Sequence, residues 1–499
     1  MSATFAGGAG PASFQGGVGR EETSTCGGCA TRDETIAWQQ KLMLEMARVL
    51  VRMQAAIDAL KAQVRQDSRN SHRPPSTDPP DAKGKPGAKR KGRKPGGQPG
   101  HEGRSRPLIP SEDVDESFDV HPPCCGKCGR SGLEPTGAKP WRHQTWEIPE
   151  IDPAVTEHRL HADLCPHCGA VTRAGLPHGV PAGSFGPRLM ALVCLLHGRY
   201  RVSLRNIEEF LSDAFGVEVS LGSLKNIEDK VSDALAPPFA ELHEAVKASE
   251  VPANADETSW RERGKRRYLW AVVVPFAAVY LVRGSRAAKV AKELLGAVRR
   301  VVVTDRYKGY DWIPIWFRQL CLAHLRRDAR KMEDRGGEAG RIGAAFGAAI
   351  DEVFHLWHRV RAGTLARSTL RRKISPIRSR IERLLLDGTA VPSIAGMCSE
   401  ILRLEPAINT FVRVEGVPPT NNTAETSVRH PVLWRKVSFG TWSEAGSRYV
   451  ERILTTVATL RLQNRNVLDY LTEACKNAIA GHAAPSLLPP EATASFLAA

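Results

Sequence analysis

Three acidic residues fall in segments whose predicted structure would bring them together. Asp256 lies in a predicted strand at 251–259, Asp305 directly follows a second one at 300–304, and Glu425 lies at the start of a predicted helix. Neighbouring carboxylates repel each other unless cations lie between them. A pair of Mg²⁺ ions held by such acids can polarise a phosphodiester, activate water and stabilise the leaving oxygen. The three acids therefore predict a two-Mg²⁺ site for phosphoryl transfer.

Each of these acids also has an ordinary structural explanation. Asn422 followed three residues later by Glu425 resembles a capping arrangement at the start of a helix. An acid at the end of a strand, as at Asp256 and Asp305, commonly caps the turn that follows. It is the joint placement of the three acids that favours a metal site over three separate caps.

The elements around the acids follow the order of a ribonuclease-H-like sheet. The periodicity predicts a strand, a hairpin, a helix and a buried strand, at 251–259, 268–274 with 278–283, 286–298 and 300–304. In such a sheet an acid on the first strand and an acid ending the fourth lie side by side, and Asp256 and Asp305 have these positions.

Two matched Cys-x-x-Cys-Gly motifs predict a structural zinc site. Cys125 and Cys128 form the first pair and Cys165 and Cys168 the second, and four thiolates complete the tetrahedral shell of Zn²⁺. The glycine after each pair permits a tight turn in which backbone amides approach the sulfurs. Alternating residues at 145–151 and 155–160 predict a small β-ribbon between the pairs. Four unligated cysteines are the alternative, and Cys124 is a neighbour that could replace Cys125.

Residues 203–231 predict two helices joined by a short turn. Gly216 would end the first helix in a left-handed conformation and Ser220 would cap the second. The pattern fits a DNA-binding helix-turn-helix, and equally two helices of an ordinary α-helical core. Nearby basic residues, Arg199, Arg201 and Arg205, favour DNA.

The N-terminal third contains a helix and a basic linker. Leu42, Met46, Val49 and Met53 are spaced as in a coiled coil, which predicts self-association or, alternatively, packing on the rest of the same chain. The Pro- and Gly-rich linker that follows is either a solvated spacer or an arm that tracks phosphates. Its candidate DNA-binding residues are Lys89, Arg90, Lys91, Arg93 and Lys94, and the catalytic region adds Arg429, one helical turn beyond Glu425, and Lys436.

Length and composition limit the class of protein. The chain has 499 residues, which suits about three folded units, and 42% hydrophobic with 25% charged residues excludes a wholly disordered chain. Lys and Arg exceed Asp and Glu by 70 − 54 = 16, which favours a polyanionic partner. No apolar run approaches the roughly 20 residues that span a bilayer, so a cytoplasmic, nucleoid-associated protein is expected. Paired cysteines favour reduced thiols over disulfides.

Several segments together resemble the bacterial transposases of insertion sequence family sixty-six. They are ADETSWR at 255–261, VVTDRYKGY at 302–310, QLCLAHLRRD at 319–328 and NNTAETSVRHPVLWRKVSF at 421–439, together with GGQPGHEG in the linker and the paired cysteine motifs. They occur in the family's order and extend from about residue 42 to 471.

The resemblance implies a DDE transposase that acts on double-stranded DNA, both element ends and target. Asp256, Asp305 and Glu425 would be its Mg²⁺-binding triad, with an Arg-rich helical insertion between Asp305 and Glu425 whose core contacts include Phe354, Leu356, Trp357 and Val360. Cys321 and His324 resemble a signature that precedes such insertions, and a buried thiol beside a helix-start histidine is the equal alternative. Homo-oligomerisation through the N-terminal helix and accessory transposition proteins are also implied.

The predicted fold class is multidomain α/β, with a ribonuclease-H-like core, an α-helical insertion, a coiled coil, a zinc-binding β-ribbon and a helix-turn-helix region. The predicted boundaries are 1–32 for a disordered tail, 33–67 for the coiled coil, 68–110 for the linker, 111–180 for the zinc module, 181–248 for the helix-turn-helix domain, 249–338 with 410–445 for the catalytic domain, 339–409 for the insertion, and 446–499 for a C-terminal helical segment and tail. Two other functions remain open: a catalytically inert DNA-binding regulator and a metal-dependent DNA nuclease.

Overall fold

The computed structural model describes residues 27–64 and 106–489, which fall into two units considered separately. In its described part the first unit contains one long helix, α1 (Gly27–Val64). Leu42, Met46, Val49 and Met53 are all exposed on this helix, at 42%, 57%, 51% and 56%. The helix predicted for 33–67 is confirmed as far as Val64, and its apolar stripe faces solvent. The boundary at residue 33 is wrong, because residues 27–32, predicted to be part of a disordered tail, already belong to the helix.

The second unit combines a mixed sheet with many helices, so the predicted α/β class is confirmed. Its strands are β1 (Ala162–Leu164), β2 (Val171–Arg173), β3 (Ala253–Glu262), β4 (Lys265–Val274), β5 (Ala277–Arg283), β6 (Val302–Thr304) and β7 (Arg318–Leu320). Its helices are α2 (Pro187–Gly198), α3 (Leu204–Phe215), α4 (Leu221–Ala234), α5 (Ala236–Ala248), α6 (Ala288–Leu295), α7 (Leu322–Glu333), α8 (Gly337–Arg361), α9 (Arg367–Thr389), α10 (Ala395–Arg403), α11 (Thr410–Arg413), α12 (Asn422–Ser438), α13 (Glu444–Leu462) and α14 (Val467–Ile479). No helix in the described ranges is both long and apolar enough to cross a membrane.

The central sheet has five strands in the order β5-β4-β3-β6-β7. β3, β4 and β5 form an antiparallel meander, whereas β6 and β7 run parallel to β3. The strands and helix predicted for residues 251–304 are confirmed with shifted ends. β7 was not predicted, because three residues give too short a pattern to recognise.

The middle of the sheet is buried on both faces. Residues 269–274 of β4 and 277–282 of β5 are largely apolar and buried, and each buried Val or Leu side chain among them contributes roughly 1.5–3 kcal/mol to folding. Helix α13 covers the outer edge of β5. There Thr455 Oγ1 accepts a hydrogen bond from the Tyr280 N–H at 3.1 Å, and Thr459 Oγ1 accepts one from the Ala278 N–H at 3.1 Å. The edge strand is therefore closed to further pairing.

The region between β7 and α12 is helical, as predicted for residues 339–409. Helices α8, α9 and α10 share with α7 a second apolar core, in which Leu356 is buried and Phe354, Trp357 and Val360 are partly buried. Arg378 on α9 pairs with Glu405 at 2.5 Å, which fixes the end of this region that leads back toward α12. The helices add no strand to the sheet.

The predicted ribbon at 145–151 and 155–160 is wrong. Both segments lack regular structure, and the strands that form, β1 and β2, instead flank the second cysteine pair. Pro149 interrupts the first segment and cannot donate a ladder hydrogen bond. The alternating side chains, such as Ile148 at 80% and Val155 at 92% exposed, have no apolar layer to pack against. An alternating pattern without a covering face does not make a strand.

The two helices predicted for residues 203–231 form as α3 and α4. Gly216 ends α3 with φ +61°, and Ser220 Oγ accepts the Ser223 N–H at 3.2 Å, so both predicted caps are confirmed. Helix α4 packs against α2, α13 and α14, and its Leu224 and Ile227 are buried. One face of α4 therefore belongs to the protein core.

Candidate active site

Asp256 and Asp305 lie side by side at the centre of the sheet. In the parallel pairing of β3 with β6, Asn254 is opposite Val303. Asp256 is two residues beyond Asn254, and Asp305 two residues beyond Val303. Because side chains alternate along a strand, the two carboxylates have the same register and the same face. The predicted juxtaposition of these acids follows directly from the strand pairing.

The electrostatics of Asp256 show that it lies among other carboxylates. Partial burial raises its pKa well above the usual value, and the nearby charges of Glu257, Asp305 and Glu425 raise it further. Glu257 has its own cation, Arg286, and its own donor, the Tyr310 hydroxyl at 2.7 Å. Asp256, Asp305 and Glu425 are thus the acids whose mutual repulsion a divalent cation would relieve.

Asp305 also has the turn-capping role given above as its alternative. Its Oδ1 accepts the Tyr307 N–H at 2.8 Å, and its backbone oxygen accepts a hydrogen bond from Arg318 Nη2 at 2.9 Å. Arg318 on β7 is fully buried and also pairs with Asp311 at 2.8 Å. The turn after β6 is therefore rigid, and the carboxylate is held at the end of the strand.

The capping arrangement of Asn422 and Glu425, given above as the structural alternative, is wrong. Helix α12 begins with Asn422 as its first helical residue, so the position before the helix belongs to Asn421. The Asn421 side chain is fully buried and turned toward β3: its Nδ2 donates to the Ala255 oxygen at 2.8 Å, and its Oδ1 accepts from Asn254 Nδ2 at 3.1 Å. These bonds fix the start of α12 beside Asp256.

Sequence reasoning did not find Asn421. Its neighbour Asn422 has the same residue type and is equally able to cap a helix, so the local sequence contains no signal to choose between them. The partners of Asn421 lie more than 160 residues earlier in the chain.

Cys321 and His324 lie directly against Glu425. Cys321 Sγ is 3.8 Å from Glu425 Oε1 and accepts the Asn421 N–H at 3.1 Å, while His324 Nδ1 is 3.3 Å from the same carboxylate oxygen. Burial raises the pKa of the Cys321 thiol to about 11 and lowers that of His324. Within the described ranges these three residues are the one group of three or more potential metal ligands whose ligand atoms all lie within 4.8 Å of one another.

The four zinc-candidate cysteines form two similar turns. The Cys125 N–H donates to the Arg130 oxygen and the Cys165 N–H to the Ala170 oxygen, both at 2.9 Å, and the glycines after the two pairs have φ of +75° and +72°. Backbone N–H groups of Cys128 and Lys127 lower the pKa of the Cys125 thiol, and those of His167 and Cys168 lower that of Cys165. The predicted approach of amides to sulfur is confirmed. No three of the four sulfurs come within 4.8 Å of one another in the part of the chain described.

The remaining predicted DNA contacts divide between described and undescribed residues. Arg429 and Lys436 are exposed on α12, beyond Glu425. Residues 89–94, with all five basic residues predicted in the linker, lie outside the described ranges.

Comparison with known proteins gives two family matches and one relative. The model of the Transposase IS66 family matches residues 182–449, and a family of unknown function, DUF6444, matches residues 30–107. Uncharacterized protein y4hP from Sinorhizobium fredii is 25% identical in an alignment 417 positions long that covers 74% of each chain. The transposase match contains the sheet, the three acids and the helical region between them.

Proposed function

Because the chain belongs to the Transposase IS66 family, we propose that it is a DDE transposase that cleaves DNA at the ends of an insertion element and joins them to target DNA. The observation that supports this most is that the charges of both Asp305 and Glu425 act on Asp256, on the central strand of the sheet. The strand order, an antiparallel meander followed by two parallel strands, supports a ribonuclease-H-like core.

The donor atoms of the triad suit magnesium. Carboxylate oxygens are the ligands that this hard cation prefers. Burial, and then the charges of Glu257, Asp305 and Glu425, raise the pKa of Asp256, and a bound cation would offset both effects. We propose that Asp256, Asp305 and Glu425 hold two ions, which when bound would polarise the scissile phosphodiester and stabilise the departing oxygen.

The reaction we propose has two balanced steps. A water oxygen bonds to phosphorus at the element end, and the bond from phosphorus to the 3′ oxygen breaks, which leaves a 3′-hydroxyl and a 5′-phosphate. That hydroxyl then bonds to a target phosphorus, and a target 3′ oxygen leaves. Arg429 and Lys436, exposed beyond Glu425 on α12, would bind phosphates next to the reacting one.

The other modules are proposed to hold the DNA and to pair subunits. The two cysteine turns would share one structural zinc ion, and α3 with α4 and the linker would contact DNA, with Arg205 and Lys230 exposed on the two helices. The exposed stripe of α1 supports self-association, since apolar side chains repeated at this spacing bury one another in a coiled coil. Accessory proteins belong to the same proposal.

The test uses purified full-length protein, Mg²⁺ and DNA that carries the element ends. We expect cleavage and strand joining, and an Asp305→Asn variant should lose at least about 100-fold in rate, because metal-assisted stabilisation of the transition state is worth several kcal/mol. Asp387→Asn, which changes an exposed acid on α9, is the matched control.

The same assay separates the other candidate functions. Cleavage without joining would indicate a nuclease. Binding of the ends without any cleavage, unchanged in Asp305→Asn, would indicate a catalytically inert regulator.

A further inference from the structure

The group formed by Cys321, His324 and Glu425 has dimensions that suit a tetrahedral metal ion. With zinc bond lengths of about 2.3 Å to sulfur and about 2.0–2.2 Å to nitrogen and oxygen, tetrahedral ligands lie about 3.6 Å apart for sulfur and oxygen and about 3.4 Å apart for nitrogen and oxygen. The corresponding distances here are 3.8 Å and 3.3 Å. Two of the three separations thus match the edges of a zinc tetrahedron, and all three ligand atoms lie within 4.8 Å of one another.

A second observation points to a ligand at this position. His324 Nδ1 is buried and has no hydrogen-bond partner, although it lies 3.3 Å from Glu425 Oε1, because the direction of approach is wrong for a hydrogen bond. A buried polar atom without a partner costs about 1–3 kcal/mol. A metal ion between the imidazole and the carboxylate would use this nitrogen.

The site is rigid before any ion arrives. The Cys321 N–H donates to the Thr304 oxygen at 2.8 Å, and the Leu322 N–H donates to the Pro419 oxygen at 2.9 Å. The Asn421 N–H reaches Cys321 Sγ and so joins the start of α7 to the start of α12. Binding an ion therefore requires little further ordering of the chain.

The ligand types favour zinc over magnesium, and the surrounding charges are of both signs. A thiolate and an imidazole are ligands that Mg²⁺ avoids and Zn²⁺ prefers, and three protein ligands leave a fourth position for water. Arg327, 3.9 Å from Glu425, opposes a cation, while the charges of Asp305 and Asp328 act on His324 in the opposite sense.

We propose that Cys321, His324 and Glu425 form a binding site for Zn²⁺, and that bound zinc inhibits the enzyme by occupying the Glu425 carboxylate that the magnesium site would use. Zinc binding replaces the thiol proton of Cys321, which is released to solvent. The inhibitory part rests on the proposed function, because it requires Glu425 to serve the magnesium site; the binding part does not.

Cadmium NMR of the full-length chain loaded with Cd²⁺ tests the binding, since the chemical shift of cadmium reports the number of sulfur ligands. We expect a signal from a one-sulfur site, separate from any signal of the four-cysteine site. It should vanish in Cys321→Ser, and His324→Ala should weaken zinc binding at this site more than about tenfold, because even outer-sphere partners are worth 10–100-fold. Cys398→Ser, which removes a buried thiol on α10, should leave the signal unchanged.

Absence of a one-sulfur signal, or its persistence in Cys321→Ser, would overturn the proposal. If Cys321→Ser fails to fold, His324→Ala decides, since this side chain is 27% exposed and its loss removes no hydrogen bond.

DNA cleavage in Mg²⁺ with increasing Zn²⁺ tests the inhibition. We expect the unmodified chain and Cys398→Ser to lose activity, and Cys321→Ser to require at least tenfold more zinc for the same loss. Equal sensitivity of all three would overturn the inhibitory role. A chain that never cleaves would instead contradict the proposed function, and the cadmium result would still decide whether the site binds metal.

Discussion

The acidic site and the cysteine region show two ways in which a chain can hold metal ligands. Asp256 lies on β3 and Asp305 directly follows the neighbouring strand β6, and the pairing of these strands places the two side chains side by side without an ion. Residues 106–186 have almost no buried side chains, and their four candidate sulfurs remain in two separate turns. A core positions the first site, whereas we propose that the second would depend on a bound zinc ion for its folding, as small zinc modules do.

Among the changes considered, we expect removal of zinc to have the largest effect, and to act on the cysteine region alone. We expect chelation to make residues 111–180 sensitive to protease while the helices and strands from α2 to α14 stay protected, because zinc supplies on the order of 10 kcal/mol of folding free energy in such modules. Limited proteolysis followed by mass spectrometry measures this. Cys165→Ser should reproduce the effect, and Cys124→Ser, an exposed neighbour, should not. Equal protection of both regions after chelation would contradict the proposal that the cysteine region depends on zinc for its folding.

Asn421→Ala should remove the side-chain hydrogen bonds that hold the start of helix α12 against β3, and so loosen the position of Glu425. We expect the free energy of unfolding to fall by about 1–3 kcal/mol, since the change leaves buried groups around β3 unpaired. DNA cleavage should fall as well, because Glu425 loses its fixed position. Asn422→Ala, exposed at the next position, should stay within about 0.5 kcal/mol of the original chain in urea unfolding. Equal effects of the two changes would show that Asn421 is not the anchor.

The same contrast explains how much was predictable from the sequence. Gly216, Ser220 and the hairpin of β4 and β5 were predicted correctly, because caps, turns and alternation are local signals. The parallel neighbours Asp256 and Asp305 were inferred from the order of elements alone. By contrast, the partners of Asn421 are set by tertiary packing, and the failed ribbon at 145–151 shows that alternation needs a covering face. The sequence showed Cys321 and His324 as a pair of possible ligands, but it gave no sign that Glu425 contacts them, because Glu425 is about a hundred residues away in the chain.

Asp256→Asn should separate stability from activity at the acidic site. The folded-state pKa of Asp256 is raised, so its contribution to stability is fully present below the unfolded pKa near 3.8 and is lost as pH rises toward the folded pKa. Without metal, the variant should therefore gain on the order of 1 kcal/mol at neutral pH, although it loses cleavage. Urea unfolding from pH 4 to 8 in EDTA measures the gain. A variant less stable than the original chain at pH 7 would show that burial and repulsion of the Asp256 charge do not destabilise the folded chain.

Lys436→Ala should have the smallest effect, confined to DNA affinity. Lys436 is exposed on α12, so its loss leaves the sheet and the three acids intact. If it binds a phosphate, the slope of log affinity against log salt should become shallower by about 0.9, with similar weakening for every DNA sequence. Lys476→Ala on α14, also exposed, is the matched control, and fluorescence anisotropy at several salt concentrations measures both. An unchanged slope for Lys436→Ala would show that Lys436 does not bind a phosphate. The DNA would then have to approach the three acids from another side of α12, such as the side of Cys321 and His324.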